Sequence, residues 1–265
     1  MTLEHSVIWI TGASSGLGEA IALELAKTKN IKLVLSARRA DEIQRVASQT
    51  KLPTQDMLVL PMDMTDIPSL PGHVETVRQR FGRIDYVFQN AGISQRSTVM
   101  DTDFSVYERL MQVNYFGVVA LTKAVLPLML AQGSGYFVVT SSVAGKIGTK
   151  LRSGYSASKH ALHGFFDSLR AELADVGIRV TIVCPGYIRT EISINALSGT
   201  GQTHNKMDDN QANGMAPDEF ARRLLKAVKQ QKEELYIGGK EIFGVYLKRF
   251  FPNILSWGLR KRKGA

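Results

Sequence analysis

One cysteine, Cys184, is the whole thiol content of this chain. That excludes an internal disulfide framework and any cysteine-based zinc cluster, and it fits a reducing compartment. Set in the β-rich run IRVTIVCPG, Cys184 reads as a small buried apolar side chain rather than a reactive thiol. The N-terminus lacks a basic n-region, and its apolar run meets Gly12 too soon for a secretion signal, so it reads as a strand. Internal repeats, low-complexity segments and linkers are missing as well. With 265 residues, 44% hydrophobic and 22% charged, the chain is expected to be one soluble α/β domain, cytoplasmic and with no metal site.

Acidic residues are scarce at one end in particular. The formal net charge is +9, yet from Lys240 to Ala265 seven Lys and Arg face Glu241 alone. The excess therefore belongs to a tail, and without a recognition module beside it no nucleic-acid partner is expected.

What is present alternates strand and helix. SVIWI (6–10) is short, apolar and β-rich; TGASSGLG breaks it; Ala20, Leu23 and Ala26 then recur at helical spacing. IKLVLSA ends a second strand at Ala37 and leads into a polar helix, DEIQRVASQ, which completes a βαβ unit within about 40 residues. Further strands are expected at MLVLPMD ending near Asp63, IDYVFQNAG, GYFVVTSS, IRVTIVCPG and ELYIGG. Helices are expected over 67–81, 107–131, about 155–176 and from Pro217. Near-continuous apolar strands separated by helices imply a doubly wound, Rossmann-type sheet of seven parallel strands with helices on both faces. The domain runs over 1–238, and residues 239–265 form the apolar and basic tail. From Thr190 to Pro217 the pattern dissolves into polar residues, Gly and Asn, as in a functional lid or mobile insertion.

Gly12, Gly16 and Gly18 make T-G-x-x-x-G-x-G directly after the first strand and at the opening of a helix. Backbone approaches a pyrophosphate closely only where no Cβ intervenes, and the free N–H groups of a helix start favour anionic charge. An acidic residue ending the second strand would bind a ribose 2′-OH; here Ala37 is followed by Arg38 and Arg39, whose guanidinium groups suit a 2′-phosphate. The expected cofactor is thus NADP(H) rather than NAD. Tyr155 and Lys159 stand four apart, so on a helix they share one face.

Over roughly residues 6 to 238 the chain closely resembles the classical short-chain dehydrogenase/reductase family. The matching elements are TGASSGLG, Asp63 after the third strand, NAG at 90–92, Asn114 in VNYFG, Ser142, YSASK at 155–159, and Pro185 and Gly186 with Thr190. The resemblance implies reversible hydride transfer between a nicotinamide and a carbonyl or alcohol. By the family's pattern Tyr155 is the general acid or base, and Lys159 holds the nicotinamide ribose and lowers the tyrosine pKa. Ser142, chosen over Ser141 because it lies thirteen residues before Tyr155, bonds the reacting oxygen, and Asn114 supports a water-mediated proton relay. Cofactor contacts are expected from Gly12, Ser14, Ser15, Gly16, Leu17, Gly18, Arg38, Arg39 and Asp63. Asn90, Ala91, Gly92, Tyr155, Lys159, Pro185, Gly186, Ile188 and Thr190 complete the set. A free tyrosine titrates near ~10, so use near neutrality requires a fall of roughly 2 to 3 pH units, about 3 to 4 kcal/mol. Gln89 and Lys150 depart from the residues frequent in the family. His160 and His163 are read as packing or interface residues off the face of Tyr155.

The substrate would lie between the loop after Ser142 and the segment Glu191 to Met215. In the tail, Ile242, Phe243, Val245, Tyr246, Leu247, Phe250, Phe251, Ile254, Leu255, Trp257 and Leu259 are too interrupted by charge and Pro252 to span a bilayer. They suit either a helix packed over the substrate entrance or a partner subunit, or an interfacial segment on anionic lipid, with RKRK beside them. The tail and Arg38–Arg39 resemble family members that act on steroids, retinoids and other lipophilic carbonyls, and a homodimer or homotetramer is expected. A 3-oxoacyl-thioester reductase and a cofactor-binding sensor without turnover are the alternatives.

Overall fold

The apolar runs become β1 (Val7–Thr11), β2 (Lys32–Ser36), β3 (Met57–Val59), β4 (Tyr86–Gln89), β5 (Gly135–Thr140), β6 (Ile178–Pro185) and β7 (Glu234–Ile237). They pair in parallel throughout, in the order β3-β2-β1-β4-β5-β6-β7. This is the expected seven-stranded sheet, seen here in a computed structural model that describes residues 2–261.

Alternation along each strand sorts its side chains to two helical layers. Ile8 and Ile10, with Leu33, Leu35 and Phe88, meet α1 (Gly16–Leu25), α2 (Ala40–Thr50) and α8 (Pro217–Lys229). Val7 and Trp9, with Val87, Phe137 and Ile182, meet α3 (Leu70–Phe81), α5 (Gly117–Gln132) and α6 (Ser153–Glu172). Because both faces are covered, every residue of β1, β4 and β5 is buried. The indole N–H of buried Trp9 is satisfied within this core: Nε1 donates to Ser36 Oγ at 2.8 Å.

Several boundaries differ from the periodicity. β3 is short, but the chain stays beside β2 beyond it, since Leu60 N donates to Leu35 O and Met62 N to Ala37 O, each at 2.9 Å. The helix expected over 107–131 is α4 (Phe104–Met111), a π turn at Gln112–Phe116, and α5. The wide turn points Asn114 inward, and a Cβ at Gly117 would press on the Met64 backbone. By length and composition Phe104–Gln132 is apolar enough to cross a membrane, but Leu121, Val125 and Met129 are buried against the sheet. α6 starts two residues earlier than expected and stops at Glu172, before the left-handed turn at Gly177.

Segment 190–216 is folded, contrary to its lack of periodicity. Leu197 bridges Gln95 in parallel and Thr203 in antiparallel fashion, and Ile188 bridges Met215. A short helix, α7 (Asp209–Ala212), follows. The tail forms α9 (Phe243–Phe250) and α10 (Pro252–Lys261), with Pro252 breaking the two as its missing N–H requires. Arg262 and Lys263, half of the basic RKRK, lie outside the described residues.

At one end of the β1–β4 pair, Asp85 Oδ2 accepts from Val7 N at 2.8 Å, while Arg83 bonds the same carboxylate from the surface. Asp85→Ala leaves the buried Val7 N–H without its acceptor and should lower unfolding free energy by about 2 to 3 kcal/mol. Arg83→Ala, removing a half-exposed partner, should cost no more than about 1 kcal/mol. Urea unfolding of both variants reads the contrast, and equal losses would contradict it.

Candidate active site

The strand order reverses between β1 and β4, so their carboxyl ends part and leave a crevice. Gly12 and Gly16 turn there with φ of +66° and +59°. A Cβ on Gly12 would lie 2.8 Å from Ala91 Cα, so the glycine lets the first turn touch the turn after β4. A Cβ on Gly18 would run into the Gly12 carbonyl. Gly18 thus sets how closely α1 seats on β1.

The crevice opens into a cavity of about 840 Å³. Ser14, Ser15, Gly16 and Leu17 form its wall at the start of α1, and Arg38, Arg39 and Asp63 stand at the far rim. Asn90, Ala91 and Gly92 form the floor, and Pro185, Gly186, Ile188 and Thr190 the opposite side. Asn90 Nδ2 donates to Gly12 O at 3.4 Å, and Asp63 Oδ1 accepts from Thr65 N at 2.9 Å. Glycines without Cβ groups beside a helix N-terminus, with cations at the outer rim, fit an extended dianionic molecule such as a dinucleotide.

At the inner end Ser142, Tyr155 and Lys159 converge. Gln95 Oε1 accepts from Gly154 N at 2.8 Å and from Tyr155 N at 3.4 Å, which fixes the first turn of α6. Lys159 is only 4% exposed, its Nζ donating to Thr140 O at 2.7 Å and lying 6.0 Å from the Tyr155 ring centroid. Ser142 Oγ donates to Pro185 O at 3.5 Å and accepts from Ala144 N at 3.0 Å, on the same cavity wall as Tyr155. Asn114 is fully buried away from the cavity: its Oδ1 accepts from Ile93 N at 2.8 Å, and its Nδ2 donates to Ile93 O and Ser158 Oγ. It therefore pins the turn at Gly92.

Burial raises the Tyr155 pKa; the Ser142 hydroxyl and the charges of Arg96 and Arg152 oppose this without overcoming it. The fall expected from the sequence is therefore absent in the protein alone. Burial brings Lys159 down to about 8.

The family model for short chain dehydrogenase matches residues 6–200. The chain belongs to this family. A dehydrogenase/reductase SDR family protein 7-like of Anopheles gambiae is 44% identical over 266 residues, covering 98% of this chain and 84% of that protein. The alcohol dehydrogenase of Thermococcus sibiricus, solved with 5-hydroxy-NADP, superposes with TM-score 0.75 at 26% identity, covering 89% of this chain and 97% of that one. A short chain dehydrogenase/reductase of Burkholderia phymatum, solved with NAD, reaches TM-score 0.84 at 20% identity, over 100% and 98% of the chains, a likeness of fold. This short-chain dehydrogenase is thus an oxidoreductase built on a nicotinamide-dinucleotide fold.

Four groups in the dehydrogenase's site had no motif to reveal them. Gln95 and Arg96 follow the NAG turn as ordinary polar residues; Arg152 precedes α6; Asp208 lies far along the chain. Arg96 and Arg152 both bond Asp208. Glu241 Oε1 accepts from Tyr187 N at 2.8 Å and Gly239 N at 2.9 Å, tying the tail to the turn after β6. For His163 only the expected face is corrected: buried as a packing residue, it follows Lys159 by one turn on the same face, with Nε2 2.9 Å from Ser141 Oγ and Nδ1 3.3 Å from Glu234. The spacing 155, 159, 163 was the available signal.

Phe243, Leu247, Leu255 and Leu259 of the tail line the cavity mouth. Lys150, one of the departures from the family, donates to Arg260 O at 2.9 Å and so helps seat α10.

Lys159 predicts a pH dependence. Between about pH 8 and the ordinary lysine value of 10.5 the unfolded chain holds a proton that folded Lys159 has lost. Stability should therefore rise with pH across that window, by an amount on the order of 3 kcal/mol, the burden being fully present below it. Chemical denaturation from pH 7 to 10.5 should show this slope in the wild type and a flatter one in Lys159→Met; parallel curves would refute it.

Proposed function

We propose that this protein transfers hydride between NADP(H) and a lipophilic carbonyl or secondary alcohol, steroid-, retinoid- or lipid-like, with Tyr155 as general acid and base. The observation that carries this reading is that Ser142, Tyr155 and Lys159 share one end of a cavity whose other end is rimmed by Arg38 and Arg39. The nicotinamide supplies or accepts the hydride when bound. Tyr155 gives its hydroxyl proton to the reacting oxygen in reduction and takes it back in oxidation. Ser142 hydrogen-bonds the same oxygen and holds the phenol. Lys159, at the Thr140 carbonyl, holds the ribose and adds positive charge beneath the phenolate. Asn114, through its bonds to Ile93 and Ser158, keeps the floor at Gly92 in place.

The preference for NADP(H) rests on Ala37 standing where a carboxylate would bind a ribose 2′-OH, and on two exposed guanidiniums that, among the described residues, form no ion pair. The nucleotide of the Thermococcus sibiricus structure is of the same phosphorylated kind. Apolar substrates suit a mouth walled by Phe243, Leu247 and Leu255.

The outward side of the tail supports a membrane contact. Phe250, Ile254 and Trp257 are exposed to 68%, 58% and 61%, and Lys248, Arg249, Arg260 and Lys261 flank them. Aromatic side chains ringed by cations suit an anionic lipid surface, and the same helices wall the substrate entrance. The aromatic face of Phe116, Tyr115 and Phe165 on the helices bearing Asn114 and Tyr155 suits a second copy of the chain.

Two experiments test the reading. A panel of ketones, secondary alcohols and acyl thioesters assayed with NADPH and NADH should give turnover on apolar ketones or alcohols with NADPH preferred. Tyr155→Phe should cut kcat by at least about 100-fold, and Arg38→Ala with Arg39→Ala should raise KM for NADPH about tenfold or more with little effect on NADH. Better use of NADH, activity confined to thioesters, or a fully active Tyr155→Phe would each overturn a part of it. Separately, co-sedimentation with phosphatidylserine vesicles should be seen for the wild type and lost in Phe250→Glu/Trp257→Glu. Binding that persists, or that never occurs, refutes the lipid contact.

A further inference from the structure

Asp208 is the meeting point of three segments far apart in the chain. Arg96, on the turn after β4, places Nε 2.9 Å and Nη2 2.5 Å from Asp208 Oδ2. Arg152, the residue before α6, places Nη2 2.9 Å from the same oxygen. All three residues are buried. Asp208 itself lies within segment 190–216, which bridges Gln95 through Leu197, and directly precedes α7.

Two guanidiniums against one carboxylate leave one net positive charge in a site shielded from water, where it is weakly screened. Arg96 is held rigidly: its Nη1 also donates to Ser94 Oγ at 2.9 Å and Gln95 O at 2.6 Å. Its neighbour Gln95 caps α6 at Gly154 and Tyr155. Both arginines line the cavity that Tyr155 lines.

The geometry points to Arg96, Arg152 and Asp208 as a charge clamp that fastens segment 190–216 beside the cavity and sets the proton affinity of Tyr155. These are positioning residues, acting through Tyr155, and the inference rests on the acid–base reading of that residue given above. The charges of Arg96 and Arg152 each favour the phenolate. The other groups facing Tyr155 are Ser142 after β5, Lys159 on α6 and Cys184 on β6; His204, in the clamped segment, faces Arg96 and Asp208. Burial would raise Asp208, but its bonds to Arg96 and Arg152 outweigh this and keep it below the usual carboxylate range, so it stays an anion at neutral pH.

Alcohol oxidation requires the phenolate, so kcat/KM rises with pH through the Tyr155 pKa. Arg152→Gln removes a cation and leaves a neutral Arg96–Asp208 pair; the rising limb should move to higher pH by about 1 unit. Asp208→Asn removes the anion and leaves two cations; the limb should move to lower pH by a similar amount. Arg152→Lys keeps the charge and should leave the limb near its wild-type position. A loosened segment alone would lower kcat/KM without moving the limb, so opposite shifts separate charge from packing. Ultraviolet titration of tyrosinate, as the difference between each protein and its Tyr155→Phe counterpart, reads the same constant without turnover. If Asp208→Asn does not fold, Arg152→Gln against Arg152→Lys still decides. A limb that stays put, or shifts the same way in Arg152→Gln and Asp208→Asn, overturns the clamp alone. A difference titration without any Tyr155 step overturns the acid–base reading as well.

Discussion

The close seating of α6 on the carboxyl end of β5 is the constraint on which the rest of the site depends. Lys159 Nζ donates to Thr140 O at 2.7 Å while Ser141 Oγ donates to Lys159 O at 3.1 Å, so strand and helix are tied in both directions. The approach leaves no room for side chains at Gly145, where a Cβ would strike Ser141 and the Lys159 backbone. At Gly92 a Cβ would stand 3.3 Å from Lys159 Nζ and 3.2 Å from Asn114 Oδ1. The lysine is accordingly removed from water, and its charge is costly unless an anion or a polar ligand answers it.

That cost runs in the same direction at several points. Buried cations at Lys159, Arg96 and Arg152 outnumber the buried Asp208, and Arg38 and Arg39 add positive charge at the other end of the cavity. Such an arrangement is poorly compensated within the protein and well compensated by a polyanionic ligand lying along it. The same field favours a phenolate over a phenol, whereas burial favours the phenol. In the protein alone burial prevails at Tyr155, so the positive charge around it offsets only part of the cost of forming a phenolate.

The parts of this architecture that are local in sequence were legible there. Apolar runs gave the strands and their number, the glycine turn gave the crevice, and a spacing of four gave the Tyr155–Lys159 face. Parts that depend on distant contacts were not. Arg96 and Asp208 are 112 residues apart, and nothing in either neighbourhood marks them as partners. The π turn at Asn114 could not be read from periodicity, because a single extra residue in one turn barely disturbs the apolar spacing. Segment 190–216 looked structureless for a related reason: its order comes from bridges to the 94–97 turn and not from a repeating apolar face. Gly18 illustrates the limit within a motif, since the spacing places a glycine there but only packing against Gly12 assigns its task.

Two covers close the cavity, and they are fastened by different physics. Segment 190–216 is held by a buried ion cluster at Asp208, so a substrate that displaced it would have to expose unpaired charge. The tail is held by Glu241 at the turn after β6, by Lys150 at Arg260 O and by apolar contact, bonds nearer the surface and more easily remade. An entrance that must open for an apolar molecule without wetting Tyr155 would be expected to yield on the tail side. That is the side on which exposed aromatic residues already face outward, so under the lipid contact proposed above the substrate route and the resting surface would coincide.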